Sequence, residues 1–311
     1  MSEPNERASV LFTPSELLHN AIDVHIHTGP DIFERNVTAE SAATDAKEAG
    51  MAAIVVKSHS TDTAARAETA SKATGFPVFG GVALNYPVGG INHHAVIETA
   101  RQGGKIVWMP TIGARHFRKL AHGAPMLASV IPPDEPGLTV LAGEKLTSAA
   151  RRVLEAVATA DLTLASGHLA PEETIVLFEA AGELGIERLI VTHPHVSFVE
   201  MNITDMKYLA ELGAYIELID EQSIADRAKV IRAVGVSHCL ISTDGGKVAE
   251  PTPVRRLQRT LDGLTNEGFS AEEIGLMAGD VPRYLLGLGS RPESRPIPAA
   301  TADEGASSER A

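Results

Sequence analysis

At 311 residues with 44% hydrophobic content, the chain has apolar material for one large domain or two ordinary ones, and an α/β barrel of this length is routine. A formal charge of −13 argues against a general nucleic-acid partner, because neutralising phosphates needs basic patches. With no apolar run of about eighteen residues, no signal-peptide pattern in Met-Ser-Glu-Pro-Asn-Glu-Arg and one cysteine, Cys239, the expectation is a globular, cytoplasmic protein without membrane spans or disulfides.

A lead-in over 1–18 is expected to precede a single domain at 19–289. The first strand, 22–27, reads Ile-Asp-Val-His-Ile-His. Residues two apart in a strand share a face, so His25 and His27 offer two imidazoles to one point. The loop from Gly29 to Arg35 carries an aromatic ring and a guanidinium, and Thr38-Ala39-Glu40-Ser41 opens a helix that stops at Gly50. The second strand, 52–57, is continuously apolar, as strands covered on both faces are. It closes on Lys57-Ser58-His59. The third, 77–83, leads to Asn85-Tyr86-Pro87 and His93-His94. The fourth, 105–111, ends Trp108-Met109-Pro110-Thr111 and is followed by Arg115-His116.

A gap of roughly 50 residues then breaks the rhythm, long enough for an active-site cover or an oligomer contact. It holds a proline-rich run from Ile131 to Pro136, a small hairpin turning at Ala142-Gly143, and a helix over 148–160. The fifth strand, 162–167, delivers His168, and Pro171-Glu172-Glu173 starts the next helix. The sixth, 188–192, delivers His193-Pro194-His195. The seventh, 214–219, contains Glu217 and precedes Asp220; both acids can line the pocket or pair with neighbours. The eighth, 239–243, delivers Asp244-Gly245-Gly246. Gly75, Gly185 and Gly213 sit where helices stop. The tail, 290–311, rich in Pro, Ser, Ala and charge, is expected to be disordered.

Eight strands alternating with helices predict a (β/α)8 TIM barrel with an insertion between strands 4 and 5, with a doubly wound open sheet as the alternative. Barrel chemistry sits at the C-terminal strand ends. Six of the twelve histidines fall there: His25, His27, His59, His168, His193 and His195. Imidazoles with a carboxylate suit Zn²⁺, Mn²⁺, Ni²⁺ or Fe²⁺, with zinc the default. No thiolate competes, because Cys239 lies inside the eighth strand and reads as core.

His-x-His on strand 1, single histidines closing strands 5 and 6 and an aspartate closing strand 8 resemble the amidohydrolase superfamily of metal-dependent TIM-barrel enzymes. The segment from Gly279 to Leu288 is similar to the stretch that often closes such barrels. The resemblance implies that His25, His27 and Asp244 hold one divalent metal. His168 and His193 hold a second in binuclear members; in mononuclear ones His168 joins the first and His193 positions the water. It also implies that Asp244 is the general base, passing a proton from water to the leaving group. One departure stands out. Binuclear members commonly carry a carboxylated lysine at the end of strand 4, and the only lysine of this strand 4, Lys105, lies at its wrong end. Lys57 on strand 2 is the substitute, either a carbamate bridge or a direct participant; the alternative is an ordinary lysine reaching solvent or a local acid. One metal or two stays open.

Arg35 and Arg115 can clamp a substrate carboxylate, and His59, Tyr86 and His116 are the other candidate substrate contacts. His195 reads as a loop residue or one supporting the ligands. His19, His122 and His238 carry no chemistry. The reading is a metal-dependent hydrolase cleaving an amide, cyclic amide, ester or lactone in a small molecule. A mononuclear zinc decarboxylase or deaminase on the same barrel is the alternative, and a non-catalytic metal-binding barrel a third. A nicotinamide enzyme is disfavoured because no Gly-x-Gly-x-x-Gly opens a helix after strand 1. A homo-oligomer is a further expectation, with the insertion as its contact.

Overall fold

The computed structural model describes residues 13–120 and 135–293. Most of the lead-in, the proline-rich run over 131–134, His122 and the tail beyond 293 lie outside the described residues. Each of the eight predicted strands is present. β1 (Ile22–His27), β2 (Ala53–Lys57) and β3 (Val78–Phe79) form one parallel sheet. β4 (Gly81–Ala83) and β5 (Ile106–Trp108) begin a second. The insertion hairpin, β6 (Leu141–Ala142) and β7 (Lys145–Leu146), is antiparallel and stands apart. β8 (Thr163–Ala165), β9 (Leu189–Val191), β10 (Tyr215–Leu218) and β11 (Cys239–Ile241) complete the second parallel sheet in chain order.

Two local features join the sheets into one ring. β3 and β4 are a single strand bent at Gly80, where a Cβ would stand 2.4 Å from the Thr63 carbonyl oxygen, so only glycine fits. On the opposite side a parallel bridge pairs Ile26 with Gly245, and the His27 N–H donates to the Gly245 carbonyl at 2.8 Å. With the bend counted as one strand, eight parallel strands follow one another around an α/β barrel.

The helices lie outside: α1 (Ala39–Glu48), α2 (Ala64–Thr74), α3 (His93–Arg101), α4 (Arg115–Leu120), α5 (Ser148–Thr159), α6 (Pro171–Glu183), α7 (Ile203–Glu211), α8 (Ile224–Val234) and α9 (Pro253–Asn266). Their ends follow local chemistry. Thr38 and Ser41 exchange side-chain and backbone hydrogen bonds at the start of α1, worth about 1 kcal/mol. Gly75 ends α2 at φ 60°, a conformation that favours glycine. Among the described residues no helix is long and apolar enough to cross a membrane.

Alternation along the strands builds two apolar layers. Outward residues such as Ile54, Val56, Leu164, Val191, Ile216 and Ile241 pack under the helices. Inward residues Ile22, Val24, Val55, Ile106, Trp108, Ile190, Tyr215 and Leu240 fill the barrel floor. Val281, Tyr284, Leu285 and Leu286, on and just after α11 (Val281–Leu285), plug that floor from below. α11 follows a short helix, α10 (Ala271–Gly275), and a π-helical turn over Leu276–Asp280.

Candidate metal centre

Two residues beyond the floor, the same inward alternation meets polar side chains. Lys57 follows Val55, Glu217 follows Tyr215, and Ser242 and then Asp244 follow Leu240. β1 reaches this level out of phase, because its register slips by one residue between Asp23 and Ile26. Such a bulge re-aims the side chains beyond it. Asp23 stabilises it: its carboxylate accepts the N–H groups of His25 (3.1 Å) and Thr243 (3.2 Å) and the Thr243 hydroxyl (2.6 Å). Burial raises the Asp23 pKa to about 6 against those hydrogen bonds.

Past the bulge, His25 and His27 point into the mouth. Asp244 Oδ1 lies 2.9 Å from His25 Nε2 and 3.0 Å from His27 Nε2. Lys57 Nζ is 2.9 Å from the same His25 Nε2 and 5.0 Å from the Trp108 ring centroid. On its other edge His25 Nδ1 donates to Glu217 Oε1 at 2.9 Å. Glu217 also accepts from the Ser242 hydroxyl (2.6 Å) and the His193 N–H (3.2 Å). A carboxylate on Nδ1 of this kind leaves Nε2 as the nitrogen that faces a ligand.

Five imidazoles close a circuit around the mouth. Ring centroids are 5.4 Å apart for His25–His27, 4.6 Å for His27–His59, 6.3 Å for His59–His168, 5.0 Å for His168–His193 and 5.7 Å for His193–His25. Phe117 and Phe198 pack on His168, with centroids at 4.8 and 5.1 Å.

Electrostatics put these groups in the states that bind cations. Burial lowers the pKa of His27 to about 3 and of His193 to about 4, and it holds His59 and His168 well below the ordinary range. All four are therefore neutral at pH 7, the state in which an imidazole can ligate a cation or act as a neutral hydrogen-bond donor. Burial and Lys57 lower His25, but Asp244 and Glu217 outweigh them and raise it. Burial would raise Glu217 and Asp244; the neighbouring imidazoles prevail, holding Glu217 at about 2 and Asp244 well below the usual range. Burial depresses Lys57 to about 8, partly offset by Asp244 and Glu217.

The residues fit a divalent cation. His25, His27 and Asp244 present ligand atoms within 4.8 Å of one another. A partly buried carboxylate oxygen against two imidazole nitrogens, one of them on a ring that already gives its Nδ1–H to Glu217, is favoured by positive charge between them. His168 Nδ1 and His193 Nδ1 are buried without a hydrogen-bond partner. Two of the five non-glycine left-handed residues among the described residues lie here. His193 (φ 27°) and Asp244 (φ 47°) hold left-handed conformations rare outside glycine, at a cost of order 1–3 kcal/mol each. Beside Asp244, a Cβ on Gly246 would stand 1.9 Å from the His27 carbonyl oxygen, so the turn after β11 requires glycine to lie over His27.

Of the other residues singled out in the sequence, Arg35 reaches the site. Its Nε and Nη2 contact Asp31 Oδ2 at 2.9 and 2.7 Å, and Nη2 lies 3.3 Å from His27 Nδ1. Arg115 is exposed at the start of α4. Tyr86 instead accepts the Gly137 N–H on its hydroxyl (3.1 Å), tying down the insertion, and His116 Nε2 donates to the Val199 carbonyl (3.0 Å). Cys239 is a buried core thiol, its pKa pushed up by burial. Sequence reasoning missed the supporting shell of Asp23, Asp31, Thr111 and Ser242, and left Glu217 between lining the pocket and pairing with neighbours. Its position two residues after inward-facing Tyr215 was the available signal.

The profile of a family of unknown function, DUF6282, matches residues 20–217, from the strand carrying His25 and His27 to the one carrying Glu217. The chain belongs to DUF6282. No curated protein matches this DUF6282 member. Among solved structures, an amidohydrolase from Pseudomonas aeruginosa superposes with a TM-score of 0.57 at 12% identity, covering 89% of this chain and 100% of that one. An organophosphorus hydrolase from Deinococcus radiodurans gives 0.55 at 13%, covering 86% and 92%. A 2,6-dihydroxybenzoate decarboxylase from Rhizobium gives 0.54 at 13%, covering 87% and 99%. The DUF6282 member thus has the barrel fold of amidohydrolase-type enzymes.

Proposed function

We propose that this chain is a metal-dependent hydrolase that adds water to the carbonyl of a small amide, cyclic amide, ester or lactone. The observation that carries this reading is Asp244 Oδ1 at 2.9 and 3.0 Å from two strand-end imidazoles, inside a circuit of five. His25, His27 and Asp244 would hold one divalent cation, with Zn²⁺ the default for this donor set and Mn²⁺, Ni²⁺ and Fe²⁺ compatible with it. His168 and His193 would complete that site or hold a second ion. When bound, the cation supplies Lewis acidity and makes water nucleophilic near neutral pH.

The remaining work falls to the side chains. Asp244 accepts the proton of the attacking water and returns it to the leaving group. Glu217 holds His25 in the tautomer whose Nε2 faces the centre. Lys57 places a nitrogen beside the same Nε2, either as a cation that compensates Asp244 and Glu217 or, after carboxylation, as a bridging anion. Arg35, held by Asp31, is the group at hand for a substrate carboxylate. Phe117 and Phe198 give the rim an apolar wall. A second reading, a mononuclear decarboxylase, is favoured by the end of strand 4, which is Met109-Pro110-Thr111 and supplies no lysine.

The test is metal quantification on purified protein, followed by a screen of lactones, hydantoin-like rings, esters and acyl amides. Stoichiometric zinc, with turnover lost on chelation and restored by Zn²⁺ or Mn²⁺, is the expected result. Release of CO₂ from an aromatic or enoic acid, with that whole panel untouched, selects the decarboxylase. Failure to take up any divalent metal overturns both.

A further inference from the structure

His59 is bound to the rest of the mouth by a chain of hydrogen bonds whose direction can be read. Asn85 Oδ1 accepts the backbone N–H groups of Thr111 (2.9 Å) and Gly113 (3.0 Å). The other end of the amide is therefore the donor: Nδ2 reaches the His59 carbonyl (2.9 Å) and Thr111 Oγ1 (2.7 Å). Thr111 Oγ1 is buried and accepts from Asn85, and its one other partner among the described residues is His59 Nδ1 at 2.8 Å, so the hydroxyl proton has no other acceptor there. Nδ1 is thus an acceptor, and the neutral ring carries its proton on Nε2. The ring sits in the imidazole circuit between His27 and His168.

We infer that His59 is a catalytic hydrogen-bond donor, its Nε2–H stabilising the negative charge that develops on the substrate carbonyl oxygen as water adds. The inference rests on the hydrolytic reading and assigns His59 a role separate from the ligands and from Asp244. No proton is transferred by His59. The oxygen gains charge as the C–O π bond opens, and an N–H dipole fixed in advance by Thr111 and Asn85 stabilises that charge without reorganising.

The test has one arm that needs no substrate. Nitrogen-15 NMR of full-length, histidine-labelled protein, with His59 assigned by the signal lost in His59→Gln, is expected to show the Nε2–H tautomer. In Thr111→Val, which removes the hydroxyl donor, that tautomer is expected to give way to a mixture. The second arm uses zinc-loaded protein and the best ester or lactone from the panel. His59→Phe is expected to lower kcat about 10²-fold, while His59→Gln, which keeps an N–H donor, stays within about tenfold of wild type. Zinc content and melting temperature are expected to be unchanged in both. A resting Nδ1–H tautomer, or a His59→Phe variant with wild-type kcat, overturns the donor role while leaving the metal hydrolase intact. Zinc uptake without turnover of any panel member overturns the hydrolytic reading, and the inference with it.

Discussion

The two ends of the barrel are built from the same strands with the same inward alternation, yet they do opposite things to the fold. At the floor, Val55, Ile106, Ile190, Tyr215 and Leu240 bury apolar surface under the closing C-terminal helix. One step further along, Lys57, Glu217, Ser242 and Asp244 put charge and polarity in the same channel, with Lys57 fully buried. Apolar burial stabilises; buried charge costs free energy unless each group finds a partner. The mouth meets that condition only in part, with Asp23 pushed up to about 6, Lys57 down to about 8 and left-handed backbone at His193 and Asp244. A region that costs stability in this way, beside one that supplies it, is the pattern expected of the proposed metal centre on a rigid scaffold.

The contrast can be broken most sharply at Asp244. If Asp244 is the general base proposed above, Asp244→Asn is expected to lower kcat about 10³-fold in steady-state assays while the protein stays folded. Wild-type turnover in that variant would remove the carboxylate from the chemistry. The converse change lies at the floor. Ile190→Ala is expected to cost about 3 kcal/mol in denaturant unfolding, with zinc still bound stoichiometrically at saturation. If zinc uptake were lost while stability held, the separation of the two ends would be wrong.

Acid should act on the mouth. His193 is held neutral with a pKa of about 4 in the fold against 6.5 ordinarily, so between those values the unfolded chain binds the extra proton. Stability of the metal-free protein is therefore complete above about pH 6.5 and lost as pH falls toward 4, by on the order of 3 kcal/mol from this group. Asp23 works the other way, since its raised pKa makes the folded state bind a proton below about 6. Chemical denaturation as a function of pH, on wild type and His193→Gln, reads the difference, and the variant is expected to flatten the curve. The smallest effect concerns Lys57. Lys57→Met ends the desolvation that holds the amine at about 8 but leaves Asp244 and Glu217 without a compensating cation, so the stability of the metal-free protein is expected to change by no more than about 1 kcal/mol while turnover falls. A variant both less stable and fully active would make Lys57 a structural residue.

Much of the scaffold was legible from the residues. Each strand ends near where apolar runs meet Gly, Pro or a polar cluster, and the hairpin at Ala142-Gly143 and the caps at Thr38 and Gly75 follow local chemistry. The His-x-His spacing was also informative, since both rings reach Asp244. What escaped was the shell that supports them. Period-two reasoning assumes an unbroken strand, and the register slip held by Asp23 changes the phase of β1. Nothing local separates Arg35, which Asp31 turns toward His27, from Arg115, which stays exposed. Nor does spacing show that Tyr86 and His116 bind backbone groups of distant loops.

The sequence alone determined the order and polarity of the elements and the kinds of donor atom delivered at each strand end, because periodicity, caps and side-chain chemistry are properties of short stretches. Only the tertiary structure decided which donors meet. His25, Lys57, Glu217 and Asp244 come from four strands, and whether they share a centre depends on ring closure, strand stagger and a bulge, which are set by packing across the whole barrel.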